Sequence, residues 1–203
     1  LSRVKKIVKA ELKPNGTIVN DKSFQMFNSG GKKLRPMFTI LAGKLGDQAY
    51  YEDVLKTSAS LELLHMASLV HDDIIDDSAQ RRGKPTVFYE HGYFQGINTG
   101  NYLLSSALHI VSQIDNPKFH ETYSTGIREI VRGELIQFDT QFDAKQTLDD
   151  YYTKIYRKTA LLIVLSIELG GYAAKLSDEL MEHLSTYGYH IGMSFQIIDD
   201  CLD

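Results

Sequence analysis

Apolar residues recur at three- and four-residue intervals along most of the chain. That spacing places them on one face of an α-helix, and the alternation of a half-buried strand is missing over any strand length. The pattern therefore predicts an all-α fold. Helices are expected, with breaks possible inside the longer ones, near residues 1–12, 34–46, 51–78, 86–114, 117–142, 147–175 and 177–203.

One segment is compatible with either a strand or a helix. Residues 161–167, LLIVLSI, are apolar on all sides. The apolar pattern continues through Glu168 and Leu169, and a helix that is apolar all round is typical of a buried position. We therefore expect a central buried helix here.

Nothing in the sequence divides the chain into separate domains. There is no repeat at solenoid spacing and no low-complexity linker. Pro36 falls in the first turn of its predicted helix, where a missing N–H is tolerated. A single all-helical domain covering residues 1–203 is expected.

Composition narrows the class of partner. The chain has 203 residues, with 26 Asp and Glu against 22 Lys and Arg, so its formal net charge is −4. A slightly acidic chain offers no long-range attraction for nucleic acid. Cys201 is the single cysteine, so no internal disulfide can form, and no apolar run reaches the roughly 18 residues of a transmembrane segment. We expect a cytoplasmic protein.

The chain carries two aspartate-rich motifs, HDDIIDD and DDCLD. In a helix Asp72 lies one turn from Asp76, and Asp199 one turn from Asp203, with Cβ atoms about 5–6 Å apart. Such like charges destabilise a helix, and their apolar neighbours make a purely solvated face a weaker explanation. Mg²⁺ binds one or two carboxylates together with water and phosphate oxygens. The motifs therefore predict magnesium sites shared with a phosphorylated substrate.

Basic side chains complement the two acidic motifs. The sequence GGKKLRP is a glycine turn that opens a helix, where free N–H groups and basic side chains suit an anion. It lacks the Walker spacing and is not a P-loop. Arg81 and Arg82 follow the first acidic motif, and arginine suits bidentate phosphate contacts. His65 lies two helical turns before Asp72, on nearly the same face, and could donate a hydrogen bond to a phosphate.

These motifs, taken in order, resemble those of a known family. GGKKLRP, LLHMASLVHDDIIDD followed by RRGKPT, KTA at 158–160 and FQIIDDCLD at 195–203 are similar to the motif set of the trans (E-type) polyprenyl diphosphate synthases. Within that family the chain most resembles the catalytic subunit of a hexaprenyl or heptaprenyl diphosphate synthase. The resemblance implies an antiparallel helix bundle around a central cavity. Relatives continue past the second acidic motif, so C-terminal helices are expected to be missing.

The resemblance implies Mg²⁺-dependent, head-to-tail condensation of isopentenyl diphosphate onto an allylic prenyl diphosphate such as farnesyl diphosphate. The residues implied to bind isopentenyl diphosphate are Lys32, Arg35, His65 and Arg82. Those implied to bind the allylic diphosphate are Arg81, Lys158, Thr159 and Gln196. The implied Mg²⁺ ligands are Asp72, Asp76, Asp199 and Asp203. Neutralising the leaving diphosphate is the central task, and the implied catalytic residues are Asp72, Asp76, Arg81 and Lys158.

Product length is expected to depend on the cavity below the first acidic motif. Ala67 and Ser68, five and four residues before Asp72, are small, whereas shorter-chain members commonly have aromatic residues there. Leu64 lies about 12 Å from Asp72 along the helix. We therefore predict an open tunnel and a hexaprenyl or heptaprenyl product for quinone side chains, as in menaquinone biosynthesis. A geranylgeranyl-length product is the alternative.

Other assignments stay open. The chain is expected to form a homodimer or a heterodimer, with the apolar helices at 86–114 as a candidate interface, and its activity could require a dissimilar subunit. His71 and Asp72 could instead belong to an HD-type metal phosphohydrolase, which needs further histidine ligands. A cation-cyclising terpene synthase would share one acidic motif but would not predict the isopentenyl diphosphate site.

Overall fold

The computed structural model describes residues 1–140 and 146–202. Contacts divide the chain into two compact units. The first comprises Leu1–Pro36 and Leu55–Ile114, and the second comprises Met37–Val54 and Asp115–Asp203. Helices supply almost all regular structure in both, which confirms the all-α prediction. No helix in the described ranges is long and apolar enough to cross a membrane.

The first unit is built from helices and one short hairpin. Its elements in chain order are α1 (Ser2–Glu11), α2 (Ile18–Asn28), the start of α3 (Leu34–Gly43), most of α4 (Tyr51–Ile75), β1 (Gln80–Arg81), β2 (Lys84–Pro85), α5 (Val87–His91) and α6 (Tyr93–Val111). Val4, Val8 and Leu12 are buried at four-residue spacing, so α1 packs through one apolar stripe. Leu61 and Leu63 in α4 are fully buried, and α4 carries the first acidic motif at its C-terminal end.

Helix α2 is absent from the sequence-based prediction. Its only described buried residues are Ser23 and Phe27, which give too weak an apolar stripe to be recognised from spacing. The helix begins instead with a polar cap, because the Thr17 hydroxyl accepts a hydrogen bond from the Asn20 amide at 3.4 Å. Local capping thus places a helix directly before the GGKK turn.

The predicted helix at 86–114 is interrupted at Gly92. The Gly92 amide donates to the Phe88 carbonyl at 2.7 Å and ends α5, and α6 begins at the next residue. Gly92 has φ 86° and ψ 167°, a backbone conformation that is essentially restricted to glycine. This one residue therefore turns the chain between the two helices.

A two-stranded hairpin follows the first acidic motif. Gln80 pairs with Pro85 and Arg81 pairs with Lys84 in antiparallel register. The turn residues Arg82 and Gly83 have φ values of 53° and 74°, as a type I′ turn requires. The turn fixes where the two arginines lie relative to α4.

The second unit contains the longest apolar segment of the sequence. Its elements are the rest of α3, a 3₁₀ turn (Gln48–Tyr50), the first turn of α4 (residues 51–54), α7 (Pro117–Thr140), α8 (Leu148–Ile155), a π-helical turn (Tyr156–Ala160), α9 (Leu161–Ala173) and α10 (Asp178–Leu202). The segment LLIVLSI lies in α9, where every one of its residues is buried, so the expected buried helix is confirmed. Ile163 and Ile167 pack with Ala42 of α3 and with Leu184 and Ile191 of α10.

The predicted helix at 147–175 contains a break of a different kind. Thr147 and Asp150 form a capping box that begins α8. Between α8 and α9 the chain makes the π-helical turn, which includes Lys158 and Thr159. Turns of this kind occur frequently at functional sites, because the extra residue changes which side chains the helix presents.

Candidate active site

A cavity of about 640 Å³ lies within the first unit. It is lined by the end of α2, the GGKK turn, α4, the hairpin and the start of α5. Its acidic lining residues are Glu62, Asp73 and Glu90. Its basic lining residues are Lys22, Lys32, Lys33, Arg35, Arg81, Arg82 and Lys84. This excess of positive charge in a concave site favours an anionic ligand.

Arg35 and His65 form a half-buried pair in this cavity. Arg35 Nη1 lies 3.2 Å from His65 Nε2. Desolvation lowers the pKa of Arg35 to about 10, which leaves it charged at neutral pH. Desolvation, followed by the neighbouring cations led by Arg35, lowers the pKa of His65 to about 2. His65 is therefore neutral, accepts from Arg35 through Nε2, and carries its proton on Nδ1, where it can donate to a ligand.

Lys33 and Glu62 form a buried ion pair beside them. Lys33 Nζ lies 2.6 Å from Glu62 Oε1, with side chains 12% and 7% exposed. The same ammonium group lies 4.5 Å from the centre of the Phe27 ring. Lys33 is thus committed to Glu62, while Lys32 is exposed at the cavity. Sequence reasoning missed Glu62, although an isolated acid in the apolar run three residues before His65 was the available signal.

The hairpin is joined to the GGKK turn by polar contacts. Arg82 Nη1 donates to the Gly30 carbonyl at 3.3 Å, and Lys84 Nζ donates to Ser29 Oγ at 3.1 Å. The residues expected to bind isopentenyl diphosphate therefore lie around one cavity. They are Lys32, Arg35, His65 in its neutral form, and Arg82.

The first acidic motif separates into residues with different surroundings. Asp76 is exposed and Asp72 is half-buried, one turn apart at the end of α4. Asp73 is buried and accepts a hydrogen bond from Arg81 Nε at 2.7 Å. Burial raises the pKa of Asp73, and the contact with Arg81 opposes that rise. Asp73 was not among the predicted site residues. Its hydrogen bond with Nε orients Arg81, and the guanidinium of Arg81 has four further N–H donors on its two Nη atoms.

The second acidic motif lies on α10 in the second unit. The Thr159 hydroxyl donates to Gln196 Oε1 at 2.5 Å, and Gln196 Nε2 donates to Asp200 Oδ1 at 2.6 Å. The Tyr151 hydroxyl donates to Asp200 Oδ2 at 2.7 Å. Hydrogen bonds from Tyr151 and Gln196 lower the pKa of Asp200. The hydrogen bond with Asp200 also raises the pKa of Tyr151 to about 12.

The structure thus groups most of the second set of predicted residues. Thr159 and Gln196 are in direct contact, and Lys158 is exposed beside them on the π-helical turn. Asp199 is exposed on α10. The predicted metal ligand Asp203 lies outside the described residues.

The residues present fit one kind of metal site. In residues 1–140 and 146–202 no group of three or more His, Cys, Asp or Glu side chains could hold a metal ion. Asp72 and Asp76 supply hard oxygen ligands in the small number that Mg²⁺ uses when phosphates complete its coordination. His71 is hydrogen-bonded to Asn101 and to the backbone of Ile97, and burial lowers its pKa. The histidine-rich site of an HD-type phosphohydrolase therefore has no counterpart among the described residues.

The residues predicted to control product length lie on α4. Leu64 and Ala67 are buried. Ser68 is half-buried, and its hydroxyl donates to the His65 carbonyl at 2.9 Å. On α6, within the candidate interface region, Phe94 is 75% exposed and Leu108 is 45% exposed. The product-length and interface assignments remain predictions.

Comparison with known proteins agrees with the motif pattern. Residues 17–203 match the polyprenyl synthetase family. Heptaprenyl diphosphate synthase component 2 of Bacillus subtilis is 40% identical over 187 residues, which is 92% of this chain and 53% of that protein. The Geobacillus stearothermophilus protein of the same name is 38% identical over 200 residues, covering 98% and 61% of the two chains.

A solved structure supports the same relationship. The crystal structure of heptaprenyl diphosphate synthase from Staphylococcus aureus superposes with a TM-score of 0.92 at 39% identity, covering 98% of this chain and 64% of that one. The chain spans less than two thirds of the length of the two curated relatives above. The expected fold class and the resemblance stated above are both confirmed. This chain belongs to the polyprenyl synthetase family.

Proposed function

We propose that this protein is a prenyltransferase that condenses isopentenyl diphosphate head-to-tail onto an allylic diphosphate. The observation that carries the proposal is the basic cavity of the first unit, where Arg35, Arg82 and a neutral His65 lie together. Two guanidinium groups and a neutral N–H donor match a diphosphate, which presents negative oxygens in several directions. Family membership supports the same reaction class.

In this proposal the first-unit cavity holds isopentenyl diphosphate. Lys32, Arg35 and Arg82 neutralise its charge, and His65 donates through Nδ1. Glu62 compensates the charge of Lys33, so the cavity carries less net positive charge than the sequence indicates. The uncharged double bond of the bound substrate remains the nucleophile.

The allylic diphosphate is assigned to Arg81, Lys158, Thr159 and Gln196. Arg81, oriented by Asp73, and Lys158 stabilise the negative charge that develops on the departing diphosphate. Asp72, Asp76 and Asp199, with Asp203, would hold Mg²⁺, which neutralises the leaving group when bound. Attack by the double bond on the allylic cation forms the new C–C bond, and a proton is then lost to the departing diphosphate. No described side chain is assigned as the base.

We further propose a hexaprenyl or heptaprenyl product for quinone side chains, with farnesyl diphosphate as primer. The small side chain of Ala67 on α4 supports a long tunnel over a geranylgeranyl-length stop. The relatives named component 2 support a dissimilar subunit as partner. The exposed apolar residues Phe94, Ile97 and Leu108 on α6 are candidates for that interface.

The test is elongation of labelled isopentenyl diphosphate in the presence of farnesyl diphosphate and Mg²⁺, with products sized by chromatography. The protein is assayed alone and with extract of its host. Elongation alone supports a self-sufficient enzyme, and elongation only with extract supports a required partner. Failure to elongate in both conditions would contradict the proposed function. Asp72→Ala, with folding verified by circular dichroism, should abolish turnover in whichever of the two conditions the wild-type protein is active.

A further inference from the structure

The hydrogen bonds around Gln196 have a defined direction. Asp200 is an exposed carboxylate, and each of its two oxygens accepts one hydrogen bond, from Tyr151 and from Gln196. The end of the Gln196 amide that faces Asp200 must therefore be the NH₂ group. The carbonyl oxygen then faces Thr159, whose hydroxyl proton is donated to it at 2.5 Å. These hydrogen bonds to its two ends fix the orientation of the amide.

This direction changes what each group can offer a ligand. Thr159 has already given its proton to Gln196, so it retains only acceptor capacity in this arrangement. Gln196 has one of its two amide hydrogens engaged with Asp200, which leaves the second for another acceptor. A diphosphate presents acceptors and needs donors. Gln196 is therefore the donor of this pair, and Thr159, assigned above to the allylic site, contributes by holding the Gln196 amide.

Asp200 is held from two sides. Tyr151 on α8 donates to one carboxylate oxygen and Gln196 donates to the other, at 2.7 and 2.6 Å. Tyr151, Asp200, Gln196 and Thr159 consequently join α8, α10 and the π-helical turn by three consecutive hydrogen bonds. These bonds hold the Asp200 carboxylate between Tyr151 and the Gln196 amide.

We propose that Tyr151 and Asp200 are positioning residues that orient the Gln196 amide toward the allylic diphosphate, with Thr159 locking its other end. The proposal rests on the assignment of the allylic site to Gln196 and Lys158. Asp200 then has a role distinct from the metal ligation implied for the other aspartates of its motif. The role extends to Tyr151, which lies outside every motif recognised in the sequence.

The experiment measures binding of farnesyl diphosphate by isothermal titration calorimetry, with Mg²⁺ present and isopentenyl diphosphate absent so that no turnover occurs. Tyr151→Phe and Thr159→Val each remove one hydrogen bond, and each should weaken binding about threefold to tenfold. Both substitutions are repeated in a Gln196→Met background. If Tyr151 and Thr159 act through Gln196, they should have no further effect there. An equal loss in both backgrounds, or no loss in the wild-type background, would overturn the proposal.

Matched controls separate positioning from general damage. Tyr152→Phe and Thr153→Val remove the same atoms from exposed neighbours on α8 and should leave the affinity unchanged. Asp200→Asn can still accept from Gln196, so it should retain more affinity than Asp200→Ala. It should also leave the Mg²⁺ concentration for half-maximal turnover within twofold of wild type. A larger rise would make Asp200 a metal ligand and overturn the proposal.

The two proposals fail in different ways. Absence of farnesyl diphosphate binding by the wild-type protein, alone and with its partner, would contradict the proposed function and this inference together. Wild-type binding and elongation, combined with unchanged affinity in Tyr151→Phe and Thr159→Val, would overturn only the inference.

Discussion

At the scale of single residues, the site depends on charges that are compensated inside the protein. Glu62 and Asp73 are buried acids, and each is paired with a basic side chain, Lys33 or Arg81, that belongs to a motif interpreted as anion-binding. His65 is the opposite case, because burial, together with the neighbouring cations, lowers its pKa and keeps it uncharged. The number of basic residues in a motif therefore overstates the charge that a ligand meets.

The low pKa of His65 predicts a pH-dependent stability. The folded-state pKa is about 2 against an ordinary value of 6.5, so below pH 6.5 the unfolded chain binds a proton that the folded chain does not. This contribution to stability is complete above pH 6.5 and is lost as the pH falls, by about 1.4 kcal/mol per unit. His65→Gln should therefore lose about 1 kcal/mol less between pH 7 and pH 5.5 than wild type. Urea denaturation at the two pH values measures the difference, and parallel losses would contradict it.

The pairing of Lys33 with Glu62 predicts an asymmetric response to substitution. Glu62→Met leaves a buried ammonium group without its partner and should lower the free energy of unfolding by about 3 kcal/mol. The double variant Lys33→Met with Glu62→Met removes both charges and should recover most of that loss. Denaturant titration of the three proteins is the measurement. A double variant as unstable as the single one would show that the pair is not the cause.

At the scale of elements, spacing predicted the long helices well because their apolar faces are extensive. Helix α2 was missed since Ser23 and Phe27 provide almost no apolar stripe, and the hairpin was missed since two-residue strands are too short to show alternation. The motif residues Arg35, His65 and Arg82 were predicted from the sequence, and they line one cavity. Glu62 and Tyr151 could not be assigned, because their roles arise from contacts between distant parts of the chain.

The break between α5 and α6 gives an element-scale prediction. Gly92 adopts a conformation essentially closed to residues with a Cβ atom, so Gly92→Ala should lower the free energy of unfolding by roughly 1–3 kcal/mol. Asparagine tolerates the left-handed helical region but not this one, so Gly92→Asn should be no better than alanine. Thermal denaturation compares the two variants. A marked advantage for asparagine would mean that the residue lies in the left-handed helical region instead.

At the scale of the whole molecule, the charge of the candidate site is opposite in sign to the net charge of the chain. The chain carries a net charge of −4, whereas the cavity of the first unit is lined mainly by cations. The chain therefore combines acidic motifs, which suit metal ions, with a basic cavity, which suits diphosphates. Net charge alone gave no indication of either.

Product length is the whole-molecule property that one substitution should change. Ala67 is buried on α4, five residues before Asp72, and an aromatic ring there would occupy the space expected for a growing chain. Ala67→Tyr should shorten the main product by at least one isoprene unit without abolishing the first condensation. Reversed-phase chromatography of the dephosphorylated products measures this, with Ala59→Ser, also buried on α4, as a control. An unchanged product length would exclude the tunnel at this position.

The turn that presents Arg82 has a further consequence for how such a sequence can change over time. A non-glycine residue at φ 53° is strained by about 1 kcal/mol, so glycine at this position would relax the hairpin. Glycine would also delete the guanidinium that reaches Gly30 and lines the cavity. In the proposed function Arg82 binds isopentenyl diphosphate, so selection for thermal stability and selection for substrate affinity would favour different residues at position 82. On that proposal, we expect homologues that use this cavity to retain arginine there.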